Sequence, residues 1–210
     1  IIGSTGLVGC KIISLLKKYK LPIKNLYTNI DIILTTKLHI VLMATPAHIS
    51  KKYASKLQAD YIIDNSNQFR MNPEIPLIVP EINSFLIPKY SINNPPVLIS
   101  NPNCSTAQLV MGIYPLHNKY TIKRLVISTY QSVSGSGKKG INQLNVEENI
   151  ENSRNSFNSP NTHNSPYIHK IHRNCIPYCD HMQENGYTLE ELKLMNETSK
   201  ILDTDIPITA

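Results

Sequence analysis

Short apolar runs alternate with helical spacing through the first hundred residues. Ile1-Ile2 leads into the turn Gly3-Ser4-Thr5-Gly6-Leu7-Val8-Gly9, after which Ile12, Ile13, Leu15 and Leu16 recur at helical spacing until Pro22. Ile40 to Ala44 is a continuous apolar run, the pattern of a parallel strand covered on both faces. Residues 47–57 predict a helix with Ala47, Tyr53, Ala54 and Leu57 inward, and Tyr61 to Asp64 and Val97 to Ile99 predict two further strands. This alternation predicts an α/β class, an open and mostly parallel sheet with helices on both faces.

From Asn101 the pattern changes. Pro102 bars a helix before it, and Cys104 to Leu116 reads as a helix with Leu109, Val110 and Ile113 on its apolar face. Leu125 to Tyr130 is strand-like, Ser134 to Gly140 reads as a flexible basic loop, and residues 149–174 read as a long surface excursion or a disordered loop. Thr188 to Leu202 predicts a helix opened by a capping box, Thr188 with Glu191. Both chain ends read as cut inside a strand, so a longer parent is expected.

Composition narrows the class. The chain has 210 residues, 41% apolar and 17% charged, too apolar for a disordered tail, and no run approaches the roughly 20 apolar residues of a membrane helix. Four cysteines in such a length do not make a disulfide scaffold, so a reducing compartment and a free, reactive thiol are expected. The net charge of +6 suits an anionic substrate or cofactor. A nucleic-acid surface is disfavoured, because it should bring clustered arginines or interleaved aromatics, and Arg70, Arg124 and Arg173 are far apart.

Five groups of residues are candidates for chemistry. Gly3, Gly6 and Gly9 lie between a strand and an amphipathic helix, where glycines let backbone N–H groups approach a diphosphate; the bland reading is a connecting turn. Cys104 sits at the predicted first turn of a helix, where free N–H groups and the helix dipole favour a thiolate and an oxyanion; otherwise it is a small hydrophobe at a helix start. Arg70 follows a polar loop at the carboxyl end of a strand, where an arginine can clamp a phosphate or simply face solvent. Glu190 and Lys193 share one helix face, either as a stabilising pair or, aimed into a cleft, as binders of an amine and an anion. His169, His172, Cys175, Cys179 and His181 cluster in sequence, but the Cys-x3-Cys spacing with Pro177 between the thiols argues against zinc, and no metal is expected.

With these motifs in order, the chain resembles the aspartate-semialdehyde dehydrogenase family. The likeness is carried by Gly3 to Gly9, Ile63 to Ser66 with Phe69-Arg70-Met71, Val79 to Asn83, Asn101 to Thr106, Ser128 to Gln131 with Val133-Ser134-Gly135, and Glu184 to Tyr187 through Asn196-Glu197-Thr198. The resemblance implies a Rossmann-like dinucleotide-binding domain over residues 1–103 and a partial α+β catalytic and dimerisation domain over 104–210. It implies a cytoplasmic homodimer that reduces aspartyl 4-phosphate with NADPH to the semialdehyde and phosphate, with no nucleic acid or membrane partner. Cys104 would be the nucleophile, Gln131 would orient the substrate, Arg70 and Lys193 would bind phosphate, and Glu190 would pair with the substrate amine. Gly3, Thr5, Gly6, Leu7, Val8 and Gly9, with Ser134 and Gly135, match the family's cofactor contacts.

The same resemblance puts the family's base histidine and a substrate arginine beyond Ala210, so the 210-residue piece is expected to be inactive by itself. The family has apolar residues at Cys175 and Cys179, which favours core positions for both. Two alternatives stand beside the enzyme reading: acetylglutamyl-phosphate reductase, and a non-catalytic relative acting as a dimerisation or binding module.

Overall fold

In the computed structural model, residues 1–27, 34–91, 96–152 and 165–210 are described. Their contacts divide into two compact units, one of residues 1–128 with 191–210 and one of residues 129–190. The expected excursion over 149–174 falls partly at 153–164, outside the described residues.

The first unit is built on a parallel sheet. Helix α1 (Leu7–Lys18) follows the glycine turn; strand β1 (Leu38–Met43), helix α2 (Ala47–Tyr53), a 3-10 turn at Ala54–Lys56 and strand β2 (Ala59–Asp64) come next. Helix α3 (Pro80–Asn83), strand β3 (Val97–Ser100) and helix α4 (Cys104–Tyr120) complete the run. β1, β2 and β3 pair in parallel in that order, with Leu42 opposite Ile63 and Ile63 opposite Ile99. Isolated parallel bridges extend the sheet: Ile2 lies between Tyr27 and Met43, and Leu77 pairs with Ser100. The chain therefore leaves Ile2 for Tyr27 on one side of it and returns as β1 on the other. That reversal of strand order is the topological switch of open α/β sheets, and the glycine turn sits at its carboxyl end.

Two apolar clusters hold this unit. Ile2, Val41, Met43, Ala54, Leu57, Ala59 and Ile62 form one, with Tyr53 packed against it; Ile40, in the run expected to be covered on both faces, is instead 61% exposed. Leu77, Val79, Ile82, Val110 and Ile201 form the other, and bring α3 and α4 against helix α6 (Leu189–Leu202). α4 runs past the expected end at Leu116 to Tyr120. Pro115 removes one N–H but does not stop the helix, which ends where Thr121 takes a left-handed conformation at φ 57 and donates its N–H to His117. The strand expected over Leu125–Tyr130 is shorter. β4 (Leu125–Val126) pairs with β5 (Ile208–Thr209), the Ile127 N–H closes on Thr209, and residues 128–130 lie outside the strand.

The second unit corrects two expectations. The segment read as a flexible loop, Ser134–Gly140, is helical: a 3-10 turn at Val133–Ser136 leads into helix α5 (Gly137–Asn152). Ser132 caps that turn by accepting from the Ser134 N–H, and the Tyr167 hydroxyl reaches Ser136 Oγ at 3.1 Å. Of 149–174, residues 149–152 belong to α5, and the described residues 165–174 are irregular and contain no buried position, in keeping with a surface excursion. Glu147, 7% exposed, accepts the N–H groups of Ile171 at 2.8 Å and His172 at 2.7 Å, while Gln143 donates at 2.7 Å. Cys175 and Cys179 are exposed rather than in a core, because residues 165–187 contain no buried side chain to pack against. Among the described residues no helix is long and apolar enough to cross a membrane, and no three His, Cys, Asp or Glu side chains converge as metal ligands.

Two predictions arise here. Ile62→Ala, in the central strand at 1% exposure, is expected to cost about 2–5 kcal/mol in urea unfolding, the range for truncating a well-packed core aliphatic. Burial opposes the Glu147 charge, but the hydrogen bonds from Gln143, His172 and Ile171 outweigh it and lower the pKa. A carboxyl lowered in the folded state contributes stability above its unfolded value of about 4.3, and that contribution is lost as pH falls through the lower folded value. Amide exchange at Ile171 and His172 should accelerate over that fall relative to β2 amides, and Glu147→Gln should remove the pH dependence.

Candidate active site

The glycine turn is built for close approach. Gly3 has φ +78, and a Cβ there would run into the Ala44 carbonyl; a Cβ on Gly9 would run into the Gly3 carbonyl. α1 therefore packs directly on the end of the first strand. Its cap is Gly6, with no side chain to take the first N–H groups and no acid in the first turn. Thr5, Gly6 and Val8 line the exposed rim and Leu7 is half-buried. A helix start of this kind fits an anionic diphosphate, and two lysines, Lys17 and Lys18, balance the other end of the helix.

At the carboxyl ends of β2 and β3 a polar network replaces the apolar core. Asp64, fully buried, accepts from Ser50 Oγ at 2.7 Å and from Ser66 Oγ at 2.5 Å. Asn65 donates its N–H to Met43 and accepts at Oδ1 from Asn101 Nδ2 at 2.8 Å, which ties the two strand ends together. Arg70 is 8% exposed and turns inward. Its Nη2 donates to the Asn65 carbonyl at 2.9 Å and its Nη1 to Glu197 Oε1 at 3.1 Å, while Nε is buried with no partner. The other oxygen of Glu197 accepts the Asn103 N–H at 2.6 Å. Asn103 caps α4 in turn, its Oδ1 accepting from the N–H groups of Ser105 at 2.8 Å and Thr106 at 3.4 Å. Cys104 is the first residue of that 17-residue helix and its thiol is exposed.

α6 grips this corner twice. Besides Glu197, its Lys200 Nζ donates to the carbonyls of Arg70, Asn72 and Ile75 at 2.6–2.8 Å, and burial lowers the Lys200 pKa. Lys193, half-buried, lies one turn before Glu197 on the same helix. In the second unit, Gln131 and Glu190 meet: Gln131 Nε2 donates to Glu190 Oε1 at 3.1 Å, and the Cys179 thiol approaches Gln131 Oε1 at 3.9 Å. Ser134 and Gly135 lie exposed in the 3-10 turn before α5.

The buried partner of Arg70 escaped the sequence reading. Glu197 stands within the Asn196-Glu197-Thr198 string, but a glutamate at that place in an amphipathic helix looks like any solvated position. Only its 127-residue separation from Arg70 and 94-residue separation from Asn103, closed by folding, gives it a role.

Comparison with known proteins agrees with this architecture. The family model described as semialdehyde dehydrogenase, NAD binding domain, matches residues 21–90, and the one described as semialdehyde dehydrogenase, dimerisation domain, matches residues 113–210. Aspartate-semialdehyde dehydrogenases from two strains of Helicobacter pylori are 36% identical over 215 residues and 34% identical over 239, covering all of this chain and 60% and 68% of theirs. The chain belongs to the aspartate-semialdehyde dehydrogenase family. The crystal structure of aspartate semialdehyde dehydrogenase II from Vibrio cholerae complexed with ASA superposes with a TM-score of 0.84 at 30% identity, over 99% of this chain and 67% of that one. The chain thus spans about three fifths to two thirds of the length of these semialdehyde dehydrogenases.

The buried ion pair predicts an asymmetry in stability. Arg70→Ala strands Glu197 as an uncompensated charge and is expected to cost about 3–5 kcal/mol, whereas replacing both by apolar residues of similar volume should recover most of the loss. Urea melts of the single and double variants check this.

Proposed function

We propose that the protein to which this chain belongs is an aspartate-semialdehyde dehydrogenase, reducing L-aspartyl 4-phosphate to L-aspartate 4-semialdehyde and phosphate, in the biosynthesis of lysine, threonine and methionine. The observation that carries the reading is Cys104, an exposed thiol at the first position of a long helix whose cap residue Asn103 is linked through Glu197 to Arg70. A nucleophile at a helix start has free backbone N–H donors and a favourable dipole for negative charge.

In this mechanism the Cys104 thiolate attacks the acyl carbon of the acyl phosphate. The carbon–oxygen bond to phosphate breaks, phosphate leaves with the electron pair, and a thioester remains on Cys104. Arg70 and Lys193 hold the phosphate; Arg70 still has its Nε–H and further N–H donors after serving Glu197 and Asn65. Gln131 orients the acyl group, and Glu190, already an acceptor of a Gln131 N–H, receives the substrate ammonium. NADPH, when bound, would supply a hydride, and Cys104 would leave as the thiolate when the carbon–sulfur bond breaks to give the aldehyde. Gly3, Thr5, Gly6, Leu7, Val8 and Gly9 would hold its diphosphate, with Ser134 and Gly135 as further contacts. The cradle that the Gly3 and Gly9 Cβ atoms would fill fits that group.

By function we divide the chain into a dinucleotide-binding part, residues 1–103, and a catalytic and dimerisation part, residues 104–210. A homodimer is inferred in keeping with the dimerisation-domain match, and the small-molecule site in keeping with the ASA complex of the Vibrio cholerae relative. A cytoplasmic location accords with four free cysteines. The relatives carry the aspartate enzyme's name, so acetylglutamyl-phosphate reductase is the less favoured reading.

Acylation isolates the first half of the reaction. Incubation with aspartyl phosphate should release phosphate stoichiometrically and leave a thioester on Cys104, found by peptide mass spectrometry and absent in Cys104→Ala. Acylation spread equally over Cys10, Cys175 and Cys179, or none, overturns the assignment. Saturable NADPH binding by fluorescence is expected and should be lost in Gly9→Val; an affinity unchanged by that substitution removes the glycine turn from the cofactor site.

A further inference from the structure

We propose that Glu197 is a positioning residue for the Cys104 thiol, a role that deepens the function proposed above and rests on it. A helix cap is ordinarily a side-chain matter: an Asn accepts the next N–H groups, and its own backbone N–H points to water. Here the N–H of the cap residue itself, on a residue 8% exposed, donates to a carboxylate that is 1% exposed and 94 residues away. Asn103 is thereby held from both sides. Its N–H is fixed by Glu197, and its side chain fixes the N–H groups of Ser105 and Thr106. Cys104 lies between these two anchors, and its own N–H is outside the set that Asn103 caps, so the peptide that could face a reacting carbonyl is oriented without being consumed.

The charge arithmetic supports the same role. A bare carboxylate this close to the start of α4 would oppose negative charge developing at Cys104. Arg70 removes that conflict by pairing with Glu197 at 3.1 Å, and Arg70 is itself fixed by the Asn65 carbonyl and by the hold of Lys200 on the Arg70 backbone. One carboxylate thus sets the distance between the phosphate-binding arginine and the cysteine helix, from a helix that carries neither of them.

The test separates the hydrogen bond to Asn103 from the ion pair. Two double variants, Arg70→Met/Glu197→Gln and Arg70→Met/Glu197→Leu, both remove the buried charges, and only the first keeps an acceptor for the Asn103 N–H. The readout is the iodoacetamide labelling rate of Cys104 relative to exposed Cys10, by peptide mass spectrometry, in protein shown folded by circular dichroism. The Gln variant should keep the native ratio within about twofold and the Leu variant should lose about tenfold, since small misplacements of a reacting group are costly. Equal ratios in the two variants overturn the positioning role. A native ratio near one overturns the functional reading of Cys104 and this proposal with it. Should the Leu variant fail to fold, amide exchange in the unaltered chain decides: slow exchange at Asn103 against Cys104 supports the anchor, and Asn103 exchanging as fast as Cys104 overturns it.

Discussion

A single buried carboxylate organises the polar end of the first unit. Glu197 accepts from Arg70 with one oxygen and from the Asn103 backbone with the other, so the loop after β2 and the start of α4 are both referred to one point on α6. Such an arrangement is costly to leave incomplete, because a charge removed from water regains its energy only through full pairing. The surrounding structure supplies most of that pairing and leaves the Arg70 Nε–H buried without a partner. Asn65 takes the other arm of Arg70, Lys200 closes the carbonyls of the arginine loop, and the apolar cluster of Leu77, Val79, Ile82, Val110 and Ile201 presses α6 against α4.

The opposite constraint governs the glycine turn after Ile2. There nothing polar is added; side chains are removed. Gly3 and Gly9 bring the first strand end and α1 into backbone contact at the switch in strand order, which leaves the helix start uncapped and facing outward. One corner is thus made by a buried charge network and the other by backbone N–H groups left without a side-chain cap. The second unit repeats the first device in miniature: Glu147 uses a buried carboxylate to pin the backbone N–H groups of Ile171 and His172.

The parallel α/β plan was legible along the chain because its signals are local. Continuous apolar runs marked β1, β2 and β3, helical spacing marked α1, α2 and α4, and the glycine turn marked the strand-to-helix junction. Where the reading failed, a distant contact had overruled local composition. Ser134–Gly140 looks flexible until Ser132 and Tyr167 close on it, α4 looks finished at Leu116 although one missing N–H at Pro115 does not end it, and Cys175 and Cys179 look like core residues only if their segment has a core to join.

The amino-acid order by itself determined which residue types could do chemistry and where along the chain they stood: the glycines, the thiol of Cys104, Arg70, Gln131, Glu190 and Lys193. Periodicity and turn chemistry act over a few residues, so they are written in the sequence. The tertiary structure alone decided that Arg70 faces inward to Glu197 and that Gln131 meets Glu190, because each pairing joins groups 59 or more residues apart, and hydrogen-bond partners at such separations are chosen by packing rather than by neighbours.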